Sequence, residues 1–521
     1  MSCRVGFRLS RPVLRPWQQH NATTNTLPIQ GYLQQAHPRR TNLARLLPQC
    51  TSSTPQRVSN WRSYATRVAA SELQFGQPVH ETHPHILKSG ELTPGITAQE
   101  YYDRRLKLAA LLPVGGVAIL AAADLKYRSG AVFYPYRQDS NFFYLTGFAE
   151  QDAVAVIHRR DRDPADHEFR LYVRPKDPIL ERWSGPWSGV EGAEDVWNAD
   201  VAGPIAAASY EVRDKAESAL AVFADSRDYT GSSQVQPLAP LVNSLRAIKS
   251  PAEVANMRKA GQLSGRVITD AMRGRRDGSS SSGGGGGGNW TLERDLALFL
   301  EHGFARAGCD GSAYVPVVAG GPRGSLIHYV QNSAALAAGE TVLVDAGGEF
   351  GTYVTDITRT WPVGGRFSPA QRDLYEAVLR VQRTCVSLCR ASAATSLDRL
   401  HAVAERALAD QLRDLGFDLP AGPAGSSDRG MSALFPHHLS HYVGLDVHDV
   451  PGYSRGVQLQ AGHCVTVEPG IYVPDDDRWP SHFRGLAVRI EDSVCVMEDE
   501  PLILTTEAVK EVADIEALRE V

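Results

Sequence analysis

The chain has 521 residues, enough for two or three domains. Its hydrophobic content of 43%, charged content of 22% and formal net charge of −5 fit a globular protein and give no basis for nucleic-acid binding. No apolar run reaches the roughly 18 residues of a transmembrane segment.

The chain opens on an acid-free stretch. Its first 71 residues carry ten arginines, no lysine and no Asp or Glu before Glu72. That composition suits a mitochondrial presequence, assigned to residues 1–64, with matrix or inner-membrane-associated delivery. Residues 65–95 are read as an extended arm. From about Thr97 the pattern becomes globular. ITAQEYYDRRLKLAALL predicts a helix, and Leu108 to Leu120, broken by Pro113 and Gly115-Gly116, predicts its end and a buried strand. GGVAILAA, AVFYP, FFYLTG, AVAVIH and FRLYVRP predict further strands, giving an α/β domain over residues 96–245.

Ser250-Pro251-Ala252-Glu253 predicts a capping box with proline at the first helical position. The helix that follows opens a second domain, residues 246–521. It runs into a Ser/Gly tract at 276–289, predicted to be a flexible surface loop. No G-K-[ST] follows that tract, which argues against phosphate binding. Thr291 is the predicted N-cap of the next helix. Helices are also expected from Pro369 to Ala393 and from Ser396 to Leu415. Seven scattered cysteines, an odd number, point to free thiols in a reducing compartment. Cys385 and Cys389 are read as buried structural residues.

Five residues of the second domain carry chemistry: Asp345, Asp356, His441, Glu468 and Glu491. They lie in VLVDAGG, TYVTDITRTWP, HHLSHYVGLDVHD and VTVEPGIYVP…VRIED. Four carboxylates and one imidazole suit two divalent ions, of a hard or borderline kind such as Mn²⁺. Asp345 and Asp356 are 11 apart and Glu468 and Glu491 are 23 apart. Odd separations around turns place each pair opposite one another on one face of a hairpin. Such carboxylates repel strongly without cations between them. His437 and His441 have i,i+4 spacing, which on a helix puts both on one face. Arg489 is two before Glu491, on the same strand face, as a partner for a metal-bound carboxylate. Cys464 and Ser440 lie near these residues but without an organised base.

These four blocks resemble the aminopeptidase P branch of the pita-bread metallopeptidases. GQPVHETHPHILKSGELTPGITAQEYYDRRLKL and YRQDSNFFYLTG extend the resemblance to its mitochondrial, intermediate-cleaving members, over about residues 65–510. The Ser/Gly tract departs from the pattern. The resemblance implies an α/β N-terminal domain plus an α+β pita-bread (creatinase/aminopeptidase) catalytic domain of duplicated architecture. It implies two metal ions, usually manganese. Asp345 would chelate one, Asp356 and Glu491 would bridge both, and His441 and Glu468 would complete the other. Glu468 would also shuttle the proton. His328 and His448 would contact the substrate backbone, and His437 would border the pocket for the second residue.

The implied activity is removal of one N-terminal residue from imported mitochondrial proteins or peptides. The alternatives are a strict Xaa-Pro aminopeptidase, a prolidase-like dipeptidase and a non-catalytic pita-bread binding protein. The expected partners are polypeptide N-termini and a second copy of the chain, with no nucleic acid.

Overall fold

The computed structural model describes residues 74–219, 221–224, 235–274, 289–419 and 430–520. The presequence and all of the Ser/Gly tract except Asn289 lie outside the described residues.

The predicted first helix spans Ala98–Leu111, with the Thr97 hydroxyl accepting from the Glu100 N–H. It packs on one face of a six-stranded sheet. The strand order is 235–237, 221–224, 116–121, 154–159, 167–173 and 201–204. Strands 116–121, 154–159 and 167–173 run antiparallel in succession. The other three join in parallel. Alternation along 116–121 sends Ala118 and Leu120 into the core containing Tyr101 and Leu108. Val117 instead packs with Val156, Tyr172 and Ala208, on the face covered by the helix Ile205–Ser218.

Two predicted strands differ. FFYLTG lies in a helix, Ser140–Thr146, capped by the Asp139 carboxylate and ended by Gly147 in the left-handed region. Ser140 and Phe142 through Thr146 are all buried, so the segment carries no one-sided hydrophobic period to distinguish helix from strand. AVFYP yields only a two-residue strand, Val132–Phe133, paired with Tyr127–Ser129 and exposed.

The second domain holds two helix pairs. Pro251–Arg273 packs with Glu293–Ala307, and Pro369–Ser387 with Leu397–Asp414. The Ser250 capping box forms as read, and Ser368 with Gln371 forms another. Thr291 is not the N-cap of Glu293–Ala307; Leu292 is. The Thr291 carbonyl accepts from the Leu336 N–H, and Leu292 bridges Ala335, so this stretch is held as extended chain. The helix expected to reach Ala393 stops at Ser387, with a separate turn of 3-10 helix at Ala391–Ala393. Cys385 and Cys389 are fully buried and free, as are Cys309, Cys464 and Cys495.

Charged clusters join the first domain to the second. Arg104 lies against Glu100 and Glu253, and Glu253 also accepts from the Tyr353 hydroxyl. Arg246 and Lys249 both meet Asp449. Asp446 bonds Arg246 and, through its other oxygen, the Ser140 hydroxyl. Burial opposes charge on Asp449, but the Lys249 and Arg246 cations hold its carboxyl below the ordinary value.

Candidate active site

The first acidic hairpin is built on strands Thr341–Asp345 and Thr358–Pro362, with Asp345 opposite Thr358. Further along, Glu349 faces Val354 in the same register. Asp356 therefore faces Gly347, and the two aspartates are diagonal neighbours on one face rather than directly opposed. A Cβ at Gly347 would lie 1.9 Å from the Thr355 carbonyl oxygen, so only glycine permits this close approach.

The second hairpin obeys the expected geometry. Val467 faces Asp492 and Gly470 faces Arg489. The same register sets Glu468 opposite Glu491. Here the ladder is interrupted. The Glu468 N–H donates to the Leu439 carbonyl, the Glu491 N–H donates to that of Thr358, and Pro469 has no N–H to give. The Glu491 bond ties the second hairpin to the first.

The side chains converge. The Tyr314 hydroxyl lies 2.6 Å from Asp345 Oδ1 and 2.5 Å from Asp356 Oδ1. His441 Nε2 is 3.4 Å from Asp356 Oδ2 and 3.6 Å from Glu468 Oε1. Asp356, His441 and Glu491 each offer a ligand atom within 4.8 Å of the others. The Thr358 hydroxyl donates to Glu491 Oε2 at 2.6 Å, while Glu491 Oε1 is buried with no hydrogen-bond partner among the described residues. His441 Nδ1 lies 3.0 Å from the Tyr442 carbonyl. As donor there, it leaves the Nε2 lone pair aimed at the carboxylates, the tautomer a metal ligand needs.

Electrostatics fit a cation site. Burial pushes Glu468 up to about 7, against the pull of His441 and Arg489. Burial, then the charges of Asp356 and Glu468, hold Glu491 well above its ordinary value. Burial also raises Asp345, partly offset by Arg489. For His441, burial disfavours the charge. The Asp356 hydrogen bond and the Glu468 charge outweigh it and push the imidazole up to about 9. Clustered carboxylates that hold protons, with one acceptor oxygen unpartnered, are matched by divalent ions.

His437 and His441 do not share a helix. The helix Met431–Leu434 ends before Pro436, and both histidines lie on irregular chain. They still flank the same carboxylate, with His437 Nδ1 3.8 Å from Glu468 Oε2. Arg489 supports Asp345 rather than its strand neighbour Glu491. Its Nη2 donates to Asp345 Oδ2 at 2.6 Å, its Nε to Thr358, and its Nη1 to the Tyr472 hydroxyl. That hydroxyl lies 2.8 Å from His437 Nε2. Burial, helped by the Arg489 charge, lowers His437 to about 4 and keeps it neutral. The His448 ring stands edge-on to His441, centroids 4.5 Å apart, and is lowered by burial, then by His441. His328 is exposed and near enough to add to that lowering.

Sequence reasoning missed Tyr314, Thr358 and Tyr472. Thr358 was findable, two residues after Asp356 and so on the same face of an extended chain. Tyr314, 31 residues before Asp345, carried no spacing signal. Ser440 gives its hydroxyl to the Thr466 carbonyl, and Cys464 is fully buried. Neither is placed as a nucleophile.

Residues 255–498 match Metallopeptidase family M24, and residues 101–223 match the aminopeptidase P N-terminal domain. Intermediate cleaving peptidase 55 of Saccharomyces cerevisiae is 39% identical over 499 residues, covering 91% of this chain and 93% of that protein. The chain belongs to the aminopeptidase P branch of metallopeptidase family M24. A protein of Arabidopsis thaliana named intermediate cleaving peptidase 55, mitochondrial, is 33% identical, covering 91% of this chain and 93% of its own length. The crystal structure of the yeast protein lacking its N-terminal 58 residues superposes with a TM-score of 0.74, covering 82% of this chain and 99% of that one. The chain is thus an aminopeptidase of pita-bread fold that uses divalent metal ions and acts on peptide or protein N-termini. No helix among the described residues is long and apolar enough to cross a membrane.

Proposed function

We propose that the protein is a mitochondrial aminopeptidase that removes a single residue from imported proteins after their presequence has been cut. Asp345, Asp356, His441, Glu468 and Glu491 would hold two divalent ions, Mn²⁺ in kind. When bound, they supply a water of lowered pKa and neutralise the developing oxyanion. Asp345, with Arg489 and Tyr314 beside it, would offer its carboxylate from the first hairpin together with Asp356, and His441, Glu468 and Glu491 would complete the ligand set. Glu468, beside His441 in the site, would accept the proton of the attacking water and pass it to the leaving amine. His448 and His328 hold the substrate backbone, His437 borders the pocket for the second residue, and Arg489 fixes the Asp345 carboxylate.

The observation that carries this reading is the convergence of both acidic hairpins on His441. The mitochondrial setting rests on the acid-free, arginine-rich start of the chain and on the relatives' names. The presequence ends at 64, the arm at 95 and the N-terminal domain at 245 in this assignment.

A peptide panel with varied first and second residues, assayed with the mature protein and Mn²⁺, tests it. Cleavage after a bulky first residue without proline in second place is the expected result. An absolute need for proline would make it a strict Xaa-Pro aminopeptidase. Turnover of dipeptides alone would make it a prolidase. Metal binding without turnover would make it a binding protein.

A further inference from the structure

Glu293 opens the helix Glu293–Ala307 and is fully buried. An acid in a first helical turn ordinarily serves its own helix. This carboxylate instead accepts from four donors in the segment 320–334. Oε1 accepts from the Gly320 N–H at 2.9 Å and from Arg323 Nε at 2.7 Å. Oε2 accepts from the Tyr329 hydroxyl at 2.9 Å and the Ala334 N–H at 2.8 Å. Both ends and the middle of one segment are gathered onto one charge. Burial opposes that charge, but the Gly320 N–H and Arg323 hold the carboxyl below its ordinary value.

The segment lies on the catalytic side of its sheet. Strand Val317–Gly320 pairs with Thr341–Asp345, and Val317 is opposite Asp345. Ala319 and Leu343 are each two residues along, so they share the face of Asp345. Val317, Ala319 and Leu343 pack with Tyr329, Tyr472 and Ala487 in one small apolar cluster. The Tyr472 hydroxyl is the one that bonds Arg489 and lies against His437. Gly324 closes on the same place, where an added Cβ would lie 2.9 Å from that of Ala487. Tyr329 is thus fixed at its hydroxyl by Glu293 and at its ring by the cluster. His328 precedes it in the chain, its Cα about 3.8 Å away. The His328 side chain itself is exposed.

We infer that Glu293 is a positioning residue for the substrate: its buried carboxylate anchors the segment 320–334 and so holds His328 in place over the catalytic face. Glu293 touches no substrate and acts only through His328. An exposed imidazole on irregular chain would otherwise have to be ordered at each binding event, at a cost in affinity and alignment. The inference rests on the reading of His328 as a contact of the substrate backbone.

The test is a double-mutant cycle on the Mn²⁺-loaded enzyme, assayed with one short peptide. Glu293→Gln keeps the shape of the side chain but turns one acceptor into a donor. It should lower kcat/KM about tenfold with metal content unchanged. The loss should divide between KM and kcat as it does in His328→Ala. In the His328→Ala background, Glu293→Gln should change kcat/KM by less than about twofold, because the group it positions is gone. Tyr329→Phe removes one of the four bonds and keeps the ring, so it serves even where Glu293→Gln folds poorly. It should give a smaller loss that likewise disappears without His328. Additive losses, loss of metal in Glu293→Gln, or wild-type kinetics in both Glu293→Gln and Tyr329→Phe overturn the inference and leave the His328 reading standing. Wild-type kinetics in His328→Ala would overturn both.

Discussion

The two acidic hairpins reach one site by different means. The Glu468–Glu491 pair is set opposite by strand register where the ladder opens, with the Thr358 hydroxyl of the first hairpin holding one Glu491 oxygen. The Asp345–Asp356 pair is diagonal and held from outside, by the Tyr314 hydroxyl and by Arg489, which belongs to the other hairpin. The difference teaches that register aligns the second pair, whereas the first is aligned by side chains from elsewhere in the fold, although each hairpin lends the other a contact.

The strongest way to break the comparison is to remove a residue common to both proposed ion sets. Glu491→Ala or Asp356→Ala should reduce peptidase activity to background, with metal content falling by elemental analysis. Full activity in a metal-free Asp356→Ala protein would sink the two-ion mechanism. Next come the tethers. Tyr314→Phe should weaken metal affinity by about 10–100-fold, the usual scale for groups that orient a ligand. Thr358→Val, which removes one bond to Glu491 and one from Arg489 without removing either carboxylate's other partners, should lie at the low end of that range. If the two variants behave alike in metal titrations, the distinction between the hairpins is wrong.

A smaller effect is expected from pH. Glu468 at about 7, Glu491 held by burial well above its ordinary value and His441 at about 9 all retain protons in the folded chain that the unfolded chain would release. These three groups therefore add stability to the metal-free protein as pH falls from about 8 to 6, opposed by His437, His448 and the other histidines held neutral, so their share is read as the difference between wild type and His441→Ala. Metal binding displaces those protons, so affinity should rise over the same range in reverse. Thermal melts with and without Mn²⁺ at the two pH values measure both signs. The least effect belongs to Ser440→Ala. It should leave kcat near the wild-type value in the peptide assay, because that hydroxyl is committed to the Thr466 carbonyl.

Much of this was legible in the chain itself. The five acid and imidazole positions, the Ser250 cap and the Glu468–Glu491 opposition follow from local sequence and parity. The Asp345–Asp356 offset did not, because an odd separation is shared by direct and diagonal neighbours. Phe142 to Thr146 misled because a segment buried on every side looks the same for both periods. The His437–His441 spacing misled because helical periodicity was counted across the effect of Pro436. Tyr314 was hidden because its contacts are created only by the fold.

The buried Arg104–Glu253 pair, which crosses from the first domain to the second, has a thermodynamic consequence. It sets a buried cation of the N-terminal domain against a buried carboxylate of the second domain. Parting the domains would separate Arg104 from Glu253, and breaking one such buried pair costs about 3–5 kcal/mol. The N-terminal α/β layer therefore has no low-energy route to melt first. Calorimetry should record one cooperative heat-absorption peak for both domains, where separable domains would give two.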